Sequence, residues 1–358
     1  MKLGVVPDNF LERVALHSGL LPPGIFECWF GIMLARTVMA ATKLDIFESL
    51  AAGSLTAEDV AERCGTHPRA TEKLLNALVG VGCLRVLGER YKLPQSARSW
   101  LLKDGKNSVH DQNLLRYLEW HWWEHCEEYV RTGRPLRVHK TMTEEEWGIY
   151  ERGMRSGIEM NAHWVARHLP LSPAAQQMLD IGGSHGYFSV AICRRYPRLR
   201  ATILELPQAI KYAAPLLAKE GLGDRVVHRA GDALTEDFGS EAYDIVFMSA
   251  VVHHFHEATN RQLIRRIAQA LRPRGIVAIW EPVRQDRTGR IRQIGGLLDL
   301  FFGFFSEAGT WSRREVADWF QESGLKPYKA RSPRMTPDLA VHVAYAPYLN
   351  LRLNAPSR

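Results

Sequence analysis

The chain has 358 residues, of which 46% are hydrophobic and 24% are charged. This composition is typical of a globular protein and excludes a disordered or fibrous chain, and the length indicates two domains at roughly 150 residues each. Five scattered cysteines without a Cys-x-x-Cys pair argue against a disulfide framework and a cysteine-rich zinc site. The net charge of +7 permits an anionic partner but does not require one.

The amino-terminal region has no signal-peptide pattern, because Asp8 and Glu12 lie within it. The most apolar early stretch, residues 25–39, is interrupted by Glu27 and Arg36. No apolar run therefore approaches the roughly 20 residues that a membrane span needs. Together with the unpaired cysteines, these features predict a cytoplasmic protein without a membrane partner.

Short helices followed by a small hairpin are predicted between residues 30 and 102. Thr56 is placed to cap a helix that Gly65 ends, and residues 68–81 carry apolar side chains at helical spacing. The segment 82–93 alternates around a Gly-Glu turn, as two short antiparallel strands do. The order of these elements predicts a winged helix-turn-helix.

The second half of the chain alternates strand patterns with helical patterns, which predicts an α/β fold with a doubly wound parallel sheet. The sequence divides into residues 1–108, a helical linker 109–172 that contributes to a substrate pocket, and residues 173–358. The predicted strands are 178–181, 201–204, 226–229, 243–248, 275–281, 326–330 and 341–346.

Three polar features lie at consecutive strand ends. The first strand runs into the glycine-rich turn 180–186 (DIGGSHG), where glycines allow a ligand to approach the backbone closely. Glu205 ends the second strand and can accept hydrogen bonds from two vicinal ribose hydroxyls, and Asp232 ends the third strand and can accept from an adenine amino group. Each feature alone is an ordinary turn or cap, but the ordered set predicts a nucleoside site at the carboxyl edge of the sheet.

These motifs resemble the class I S-adenosylmethionine-dependent methyltransferases, especially the small-molecule O-methyltransferases of the caffeic-acid and hydroxyindole type and their bacterial natural-product relatives. The resemblance covers nearly the whole chain, including the linker segment 131–135 (RTGRP). It implies a Rossmann-like catalytic domain, a winged-helix domain that forms a homodimer, and S-adenosyl-L-methionine as cofactor. Ser184 replaces the family's third glycine and Ser249 replaces a lysine common in the plant enzymes. The implied cofactor-binding residues are Gly182, Gly183, Glu205, Leu206, Asp232, Ala233 and Ser249.

The fourth strand runs into His253-His254-Phe255, where the family has a histidine that acts as general base in an H-[DN]-W tripeptide. The resemblance implies this role for His253, and the alternative is a histidine that merely begins a helix. A phenol of pKa about 10 is mostly protonated at neutral pH, whereas a histidine of pKa about 6.5 is largely neutral and can accept its proton. Glu281, which ends the fifth strand, matches the family acid that orients this histidine, but a second acid is missing because residues 309–311 read GTW.

The resemblance also makes Trp123 and Met154 candidates for substrate binding, with ordinary core packing as the alternative. The segment His121 to His125 matches the H-x-x-E-H pattern of zinc proteases. The sequence does not identify the required downstream glutamate helix, and the aromatic neighbours suit a pocket wall or core, so no metal is predicted.

The predicted function is O-methylation of a small, hydroxylated and aromatic metabolite. The first alternative keeps the fold and the cofactor but is a non-methylating enzyme, or a C- or N-methylating enzyme, of natural-product metabolism. The second is a winged-helix regulator that contacts DNA through His67, Arg69 and Lys73. The helix is not densely basic, and Glu89 lies beside Arg90 in the wing, so no nucleic-acid partner is predicted.

Overall fold

The computed structural model describes residues 4–7, 9–18, 23–285 and 291–347. The chain forms two compact units. One comprises Met1–His121 and Arg152–Gly157, and the other comprises Trp122–Glu151 and Ile158–Arg358. The helical segment between residues 109 and 172 is therefore shared by the two units.

Helices make up most of the first unit, and strands alternate with helices in the second. The α-helices of the described residues are α1 (Phe10–His17), α2 (Pro23–Lys43), α3 (Ile46–Ser49), α4 (Ala57–Cys64), α5 (Pro68–Gly80), α6 (Gln95–Leu101), α7 (His110–Trp123), α8 (Cys126–Thr132), α9 (Glu144–Arg155), α10 (Glu159–His168), α11 (Tyr187–Arg195), α12 (Pro207–Ala218), α13 (Glu257–Ala270), α14 (Gln293–Phe305) and α15 (Arg313–Glu322). The strands are β1 (Arg85–Leu87), β2 (Arg90–Lys92), β3 (Gln177–Ile181), β4 (Arg200–Glu205), β5 (Val226–Ala230), β6 (Tyr243–Ser249), β7 (Leu271–Pro282), β8 (Lys326–Arg331) and β9 (Leu339–Tyr345).

The predicted winged-helix elements are present in the first unit. Helix α4 begins with a capping box, in which the Thr56 side chain accepts from the Asp59 N–H and the Asp59 carboxylate accepts from the Thr56 N–H. Gly65, at φ +63°, ends the helix in the left-handed conformation that glycine adopts without steric cost. Helix α5 follows, and β1 and β2 pair antiparallel with Leu87 opposite Arg90.

Helix α2 is longer than the sequence predicts, because it continues without a break through Glu27 and Arg36. The expectation that no apolar segment reaches the length of a membrane span is therefore wrong. By length and composition alone, the segment Gly24–Lys43 could cross a membrane, and only 11% of its most apolar window is buried in the structure. Trp29 is 60% exposed and Phe30 is 54% exposed. A continuous apolar face of this kind marks a surface that another molecule covers.

The second unit is built on a sheet with the strand order β5-β4-β3-β6-β7-β9-β8. The strands from β5 to β7 run parallel, and β9 joins both β7 and β8 antiparallel, so the predicted doubly wound sheet is confirmed with an antiparallel edge. Ile181 at the end of β3 pairs with Leu204 on one side and with Met248 on the other. The chain order reverses between β4 and β6, on either side of β3, and this switch point is where such sheets bind ligands.

Apolar layers cover both faces of the sheet. Met178 packs with Phe188 of α11 in one cluster, and the next residue, Leu179, packs with Leu263 of α13 in another. Strands buried on both faces read as continuous apolar runs rather than as alternating patterns. The polar residues that end these strands are therefore attached to a sheet that is packed on both faces.

Candidate active site

The glycine-rich turn after β3 has no space for side chains at two positions. A Cβ atom added to Gly182, whose φ is +67°, would lie 2.8 Å from Cγ2 of Val251. A Cβ atom added to Gly183 would lie 2.5 Å from Oδ2 of Asp180. The Gly182 N–H donates to the Leu204 carbonyl at 2.8 Å, which ties the turn to β4. Neither position can hold a side chain unless Val251 or Asp180 moves, so packing within the protein requires glycine at both.

Glu205 is held at the same edge of the sheet by two backbone donors. Its Oε2 accepts from the Ser184 N–H at 2.9 Å, and its Oε1 accepts from the Leu206 N–H at 2.7 Å. Each carboxylate oxygen has two lone pairs, so each can accept one more hydrogen bond. Burial raises the pKa of Glu205, and the two N–H donors oppose that effect. The side chain is thus fixed in place with acceptor capacity for two vicinal hydroxyls.

The remaining candidates for cofactor binding follow the neighbouring strands. Asp232, in the loop after β5, is exposed and accepts through Oδ1 from the Leu234 N–H at 2.9 Å. The Ala233 carbonyl accepts from Nη1 of Arg266 at 2.8 Å. Ser249 is half-buried at the end of β6. Because β5, β4, β3 and β6 are consecutive in the sheet, the predicted cofactor residues lie along one edge.

His253 and Glu281 form a buried pair beside this edge. Nδ1 of His253 lies 2.9 Å from Oε2 of Glu281, and the two side chains are 2% and 3% exposed. Oε1 of Glu281 accepts from the backbone N–H groups of Val251 and Val252 at 2.6 and 2.9 Å. An ionised carboxylate only accepts hydrogen bonds, so Nδ1 of His253 carries the proton in this arrangement. Nε2 is then left as the proton acceptor.

The structure places no second acid at this pair among the described residues. Glu307, the nearest candidate in sequence, forms ion pairs with Arg137 at 3.0 Å and with Lys140 at 3.8 Å. Where the resemblance leads one to expect the acid, Trp311 donates through Nε1 to the Val252 carbonyl at 3.0 Å. The tryptophan therefore supports the backbone next to His253 instead of the imidazole itself.

Two further histidines that the sequence did not single out as site residues adjoin the pair. The ring of His254 lies 4.2 Å from that of His253 and 4.7 Å from that of His139, measured between centroids. Nδ1 of His254 lies 2.9 Å from Ser306 Oγ, and Nε2 of His139 lies 3.1 Å from Tyr150 OH. Burial lowers the pKa of His254 well below its usual value and that of His139 to about 4. Both rings are therefore neutral at neutral pH, and each can offer a polar atom without a charge.

Aromatic side chains surround these histidines. The Phe302 ring lies 4.0 Å from the His253 ring, and Trp122 lies 5.1 Å from Phe305. Trp123, the predicted pocket residue, is 38% exposed and lies 4.7 Å from Phe304. Helix α14 supplies all the phenylalanines, so its apolar sequence forms one wall of the histidine site.

The other predicted pocket residue is Met154, and the zinc-like pattern spans residues 121–125. Met154 is half-buried on α9, in the stretch that belongs to the first unit, and its role in substrate binding stays a prediction. His125 places Nε2 at 3.0 Å from the Arg134 carbonyl. Within the residues that the structure describes, no group of three His, Cys, Asp or Glu side chains could hold a metal ion.

Models of two known protein domains match most of the chain. The sequence model of the O-methyltransferase domain matches residues 124–325, and that of the O-methyltransferase dimerisation domain matches residues 26–103. The chain belongs to the O-methyltransferase family. The predicted family is therefore confirmed, and the exposed helix α2 falls within the dimerisation domain.

Individual relatives agree with this assignment. The chain is 28% identical to 3-hydroxy-5-methyl-1-naphthoate 3-O-methyltransferase of Streptomyces sahachiroi, over 82% of this chain and 86% of that protein. It is 27% identical to aclacinomycin 10-hydroxylase of Streptomyces purpurascens, over 82% of each chain. The fold is similar to that of human N-acetylserotonin methyltransferase in complex with S-adenosylmethionine, with a TM-score of 0.80 at 18% identity over 96% of this chain and 99% of that one.

The enzyme is an S-adenosyl-L-methionine-dependent methyltransferase. Its residues fit this cofactor on three observations. Gly182 and Gly183 have no space for side chains, and Glu205 keeps two acceptor lone pairs at the edge of the sheet. Oδ1 of Asp180 is fully buried beside the turn and has no hydrogen-bond partner among the described residues.

Proposed function

We propose that the enzyme transfers the methyl group of S-adenosyl-L-methionine to a hydroxyl group of a small aromatic metabolite, with His253 as general base. The observation that carries this proposal is the buried pair of His253 and Glu281, joined at 2.9 Å next to the cofactor edge of the sheet. A histidine whose tautomer is set by a buried carboxylate presents its second nitrogen as a proton acceptor.

In this mechanism the protein positions the acceptor and removes its proton. The bound cofactor supplies an electrophilic methyl group on its sulfonium sulfur. Nε2 of His253 accepts the hydroxyl proton, and Glu281 stabilises the imidazolium that results. Gly182 and Glu205 would hold the cofactor, and positioning of the acceptor next to it would contribute to the rate enhancement. Phe302 lies against His253 and excludes water from the proton transfer.

The aromatic lining supports a flat acceptor. The rings of Trp122, Phe302 and Phe305 provide apolar surfaces near His253, and aromatic rings pack favourably against one another in stacked or edge-to-face arrangements. The neutral histidines His139 and His254 can hydrogen-bond a second polar group of the acceptor. The naphthoate substrate named for the Streptomyces sahachiroi relative has this character, a fused ring with a hydroxyl and a carboxyl group.

The direct experiment is incubation with methyl-labelled S-adenosyl-L-methionine and a panel of hydroxynaphthoates and other phenols. Labelled product from at least one phenol, lost when that hydroxyl is replaced by hydrogen, is the expected result. Labelling of a carbon or nitrogen atom instead would assign C- or N-methylation. No labelled product, despite binding of the cofactor, would contradict the proposal.

Hydroxylation with the same cofactor bound is the second candidate. Two observations favour it: the aclacinomycin 10-hydroxylase among the relatives, and the His254-Phe255 pair where the methyltransferases have Asp or Asn and Trp. Mass spectrometry of the same reactions, run in air with an added reductant, distinguishes the two. Methylation adds the labelled carbon, whereas hydroxylation adds one oxygen atom from dioxygen, the reductant supplying the two electrons that reduce the other atom to water.

We also propose that the enzyme is a soluble, cytoplasmic homodimer, without a nucleic-acid or membrane partner, and that α2 forms the interface. The Arg90 guanidinium of the wing already donates to the Ser54 carbonyl at 2.7 Å, which leaves the wing less suited to phosphate contacts.

Trp29→Asp should convert the dimer to a monomer, because it places a charge in the apolar face. Leu87→Asp, at a position 67% exposed in the wing, is the matched control and should stay dimeric by light scattering. A dimer that survives Trp29→Asp would contradict this interface.

A further inference from the structure

A buried carboxyl group outside the catalytic pair touches the cofactor turn. Glu151 of α9 is 1% exposed, and its Oε2 lies 2.5 Å from Oγ of Ser184. This is the one hydrogen bond that its side chain makes among the described residues, and no cationic side chain there forms an ion pair with it. A buried carboxyl group with a single hydroxyl partner is poorly stabilised as an anion.

Ser184 is itself unusual at this position. It replaces the third glycine of the family motif, and its φ of +49° lies in the left-handed region that non-glycine residues adopt only when their surroundings hold them there. Three contacts provide that hold. The hydroxyl bonds Glu151, the N–H donates to Glu205 at 2.9 Å, and the carbonyl accepts from Nε2 of His228 at 2.8 Å. The serine thus links a buried acid on a helix to the acid that faces the cofactor.

Three acids surround this one turn. Besides Glu151 and Glu205, Asp180 is fully buried, and its Oδ2 accepts from Ser189 Oγ at 2.6 Å while its Oδ1 has no partner in the described part of the chain. Burial, together with the smaller effect of the negative charge of Glu205, raises the pKa of Glu151 to about 8 and that of Asp180 to about 7. Two histidines also lie at the turn. Burial lowers the pKa of His228 on β5, and His185 is buried within the turn, where its Nδ1 accepts from the Tyr187 N–H at 3.1 Å. Within the described part of the chain, no cationic side chain is among the groups that shift the pKa of Glu151 or Asp180.

The cofactor supplies such a charge, but only before methyl transfer. S-adenosyl-L-methionine carries a sulfonium cation in addition to its zwitterionic amino-acid group. S-adenosyl-L-homocysteine, the product, is a neutral thioether at the same atom. An anion in a site of low dielectric constant stabilises the first ligand more than the second.

We propose that Glu151 senses the charge of the cofactor: it releases its proton to solvent when the sulfonium donor binds at the turn, and it stays protonated when the neutral product binds. The enzyme consequently prefers the donor over the spent product and is less inhibited by that product. This inference rests on the cofactor and not on the methyl acceptor, so it is separate from the proposed reaction.

The direction of the pH dependence follows from proton linkage. Below the pKa of Glu151, the donor must displace a proton to bind, so its affinity increases with pH by up to about tenfold per pH unit. Above about pH 8 the carboxylate is already ionised, and the increase stops. The product displaces no proton from Glu151. The ratio of the two affinities should therefore rise from about pH 6 and level off above about pH 8.

The test is isothermal titration calorimetry of the full-length enzyme with S-adenosyl-L-methionine and, separately, with S-adenosyl-L-homocysteine. Each titration is made from about pH 6 to about pH 9, in two buffers of different ionisation enthalpy, so that the number of protons released is measured directly. The α-amino group titrates in both ligands, so its contribution to proton release cancels when the two titrations are subtracted. At neutral pH, the wild-type enzyme should release more protons to solvent when it binds S-adenosyl-L-methionine than when it binds S-adenosyl-L-homocysteine.

Glu151→Gln keeps the shape of the side chain and removes the proton, so the excess release and the pH dependence of the affinity ratio should both decrease, and Asp180, whose pKa is about 7, accounts for what remains. Glu145→Gln, at an exposed position on the same helix, is the matched control and should behave as wild type. Ser184→Gly removes the hydrogen bond that lowers the pKa of Glu151, and should move the midpoint of the pH dependence upward. An unchanged excess release in Glu151→Gln, an unchanged midpoint in Ser184→Gly, or a wild-type ratio that does not vary with pH would overturn the proposal.

Discussion

Two buried glutamates, Glu281 and Glu151, differ in the hydrogen-bond donors that the protein provides for them. Glu281 receives two backbone N–H groups and the imidazole of His253 within 2.9 Å. Glu151 receives one hydroxyl, from Ser184. Both are almost completely inaccessible to solvent, at 3% and 1% exposure. Burial alone therefore does not determine what a carboxyl group can do, because the number and kind of its donors decide whether it stays an acceptor or exchanges a proton.

The two acids are therefore expected to have different roles. Glu281 suits a permanent role as the partner that orients His253. Glu151 suits a role in which it loses or keeps its proton according to the charge of the bound ligand. Substitutions at and around each acid should therefore affect different measurements: turnover for the pair with His253, and cofactor binding for the turn.

The largest effect is expected for His253→Ala. Loss of a general base lowers kcat by about 10²–10⁴-fold, while the affinity for S-adenosyl-L-methionine should stay nearly constant because the side chain does not hold the cofactor. His256→Ala, an exposed histidine three positions along the chain, is the matched control and should retain wild-type turnover. A similar fall in both variants, measured with the same phenol, would remove His253 from the mechanism.

Glu281→Gln should have the next largest effect, a decrease in kcat of about 10–100-fold. The amide keeps the shape and can still accept from the backbone, but it cannot stabilise the imidazolium that forms in the reaction. Compared with Glu151→Gln, it should spare the difference in proton release between donor and product. If Glu281→Gln abolished that difference and left kcat unchanged, the contrast between the two acids would be reversed.

Glu205→Ala should weaken binding of S-adenosyl-L-methionine at least about tenfold, since two hydrogen bonds to an ionised acceptor are lost at about 1.5–3 kcal/mol each. Calorimetry gives the affinity directly. Thermal unfolding of the ligand-free variant is measured beside it, so that the loss of the two backbone hydrogen bonds from Ser184 and Leu206 is separated from the loss of cofactor contacts. An unchanged affinity would mean that the acid at this strand end does not hold the cofactor.

The smallest effect is expected for His254→Ala. Its ring contacts His253 and bonds Ser306, but it is neutral and has no carboxylate partner among the described residues. We expect KM for the phenol to increase more than kcat decreases, with a total change in kcat/KM under about tenfold, the loss of one neutral hydrogen bond. A loss equal to that of His253→Ala would make His254 an equal partner in catalysis.

The fold and the cofactor edge could be predicted from the sequence because both depend on local patterns. Strands and helices alternate with clear periods, and Gly182, Glu205 and Asp232 follow successive strands, so the parallel topology itself brings them together. The capping residues Thr56 and Gly65 likewise act within a few positions of each other.

The residues that escaped prediction depend on contacts between distant segments. Glu151 lies on a helix whose sequence gives no sign that one acid faces inward, and it is matched only by the serine of a turn 33 positions later. His139 and Ser306 similarly meet His254 from segments far from it in the chain. The one available signal was Ser184, a serine where the motif has glycine, since a left-handed residue with a side chain requires a partner.

The central claim, that His253 removes the proton of the acceptor, is tested most directly by the pH–rate profile of the wild-type enzyme and His253→Ala with an identified phenol. A general base must be neutral to act, so the wild-type kcat should show an ascending limb as the pH rises. The variant should lose this ascending limb and regain rate only at high pH, where the phenol ionises by itself. An ascending limb that persists unchanged in His253→Ala would contradict the account.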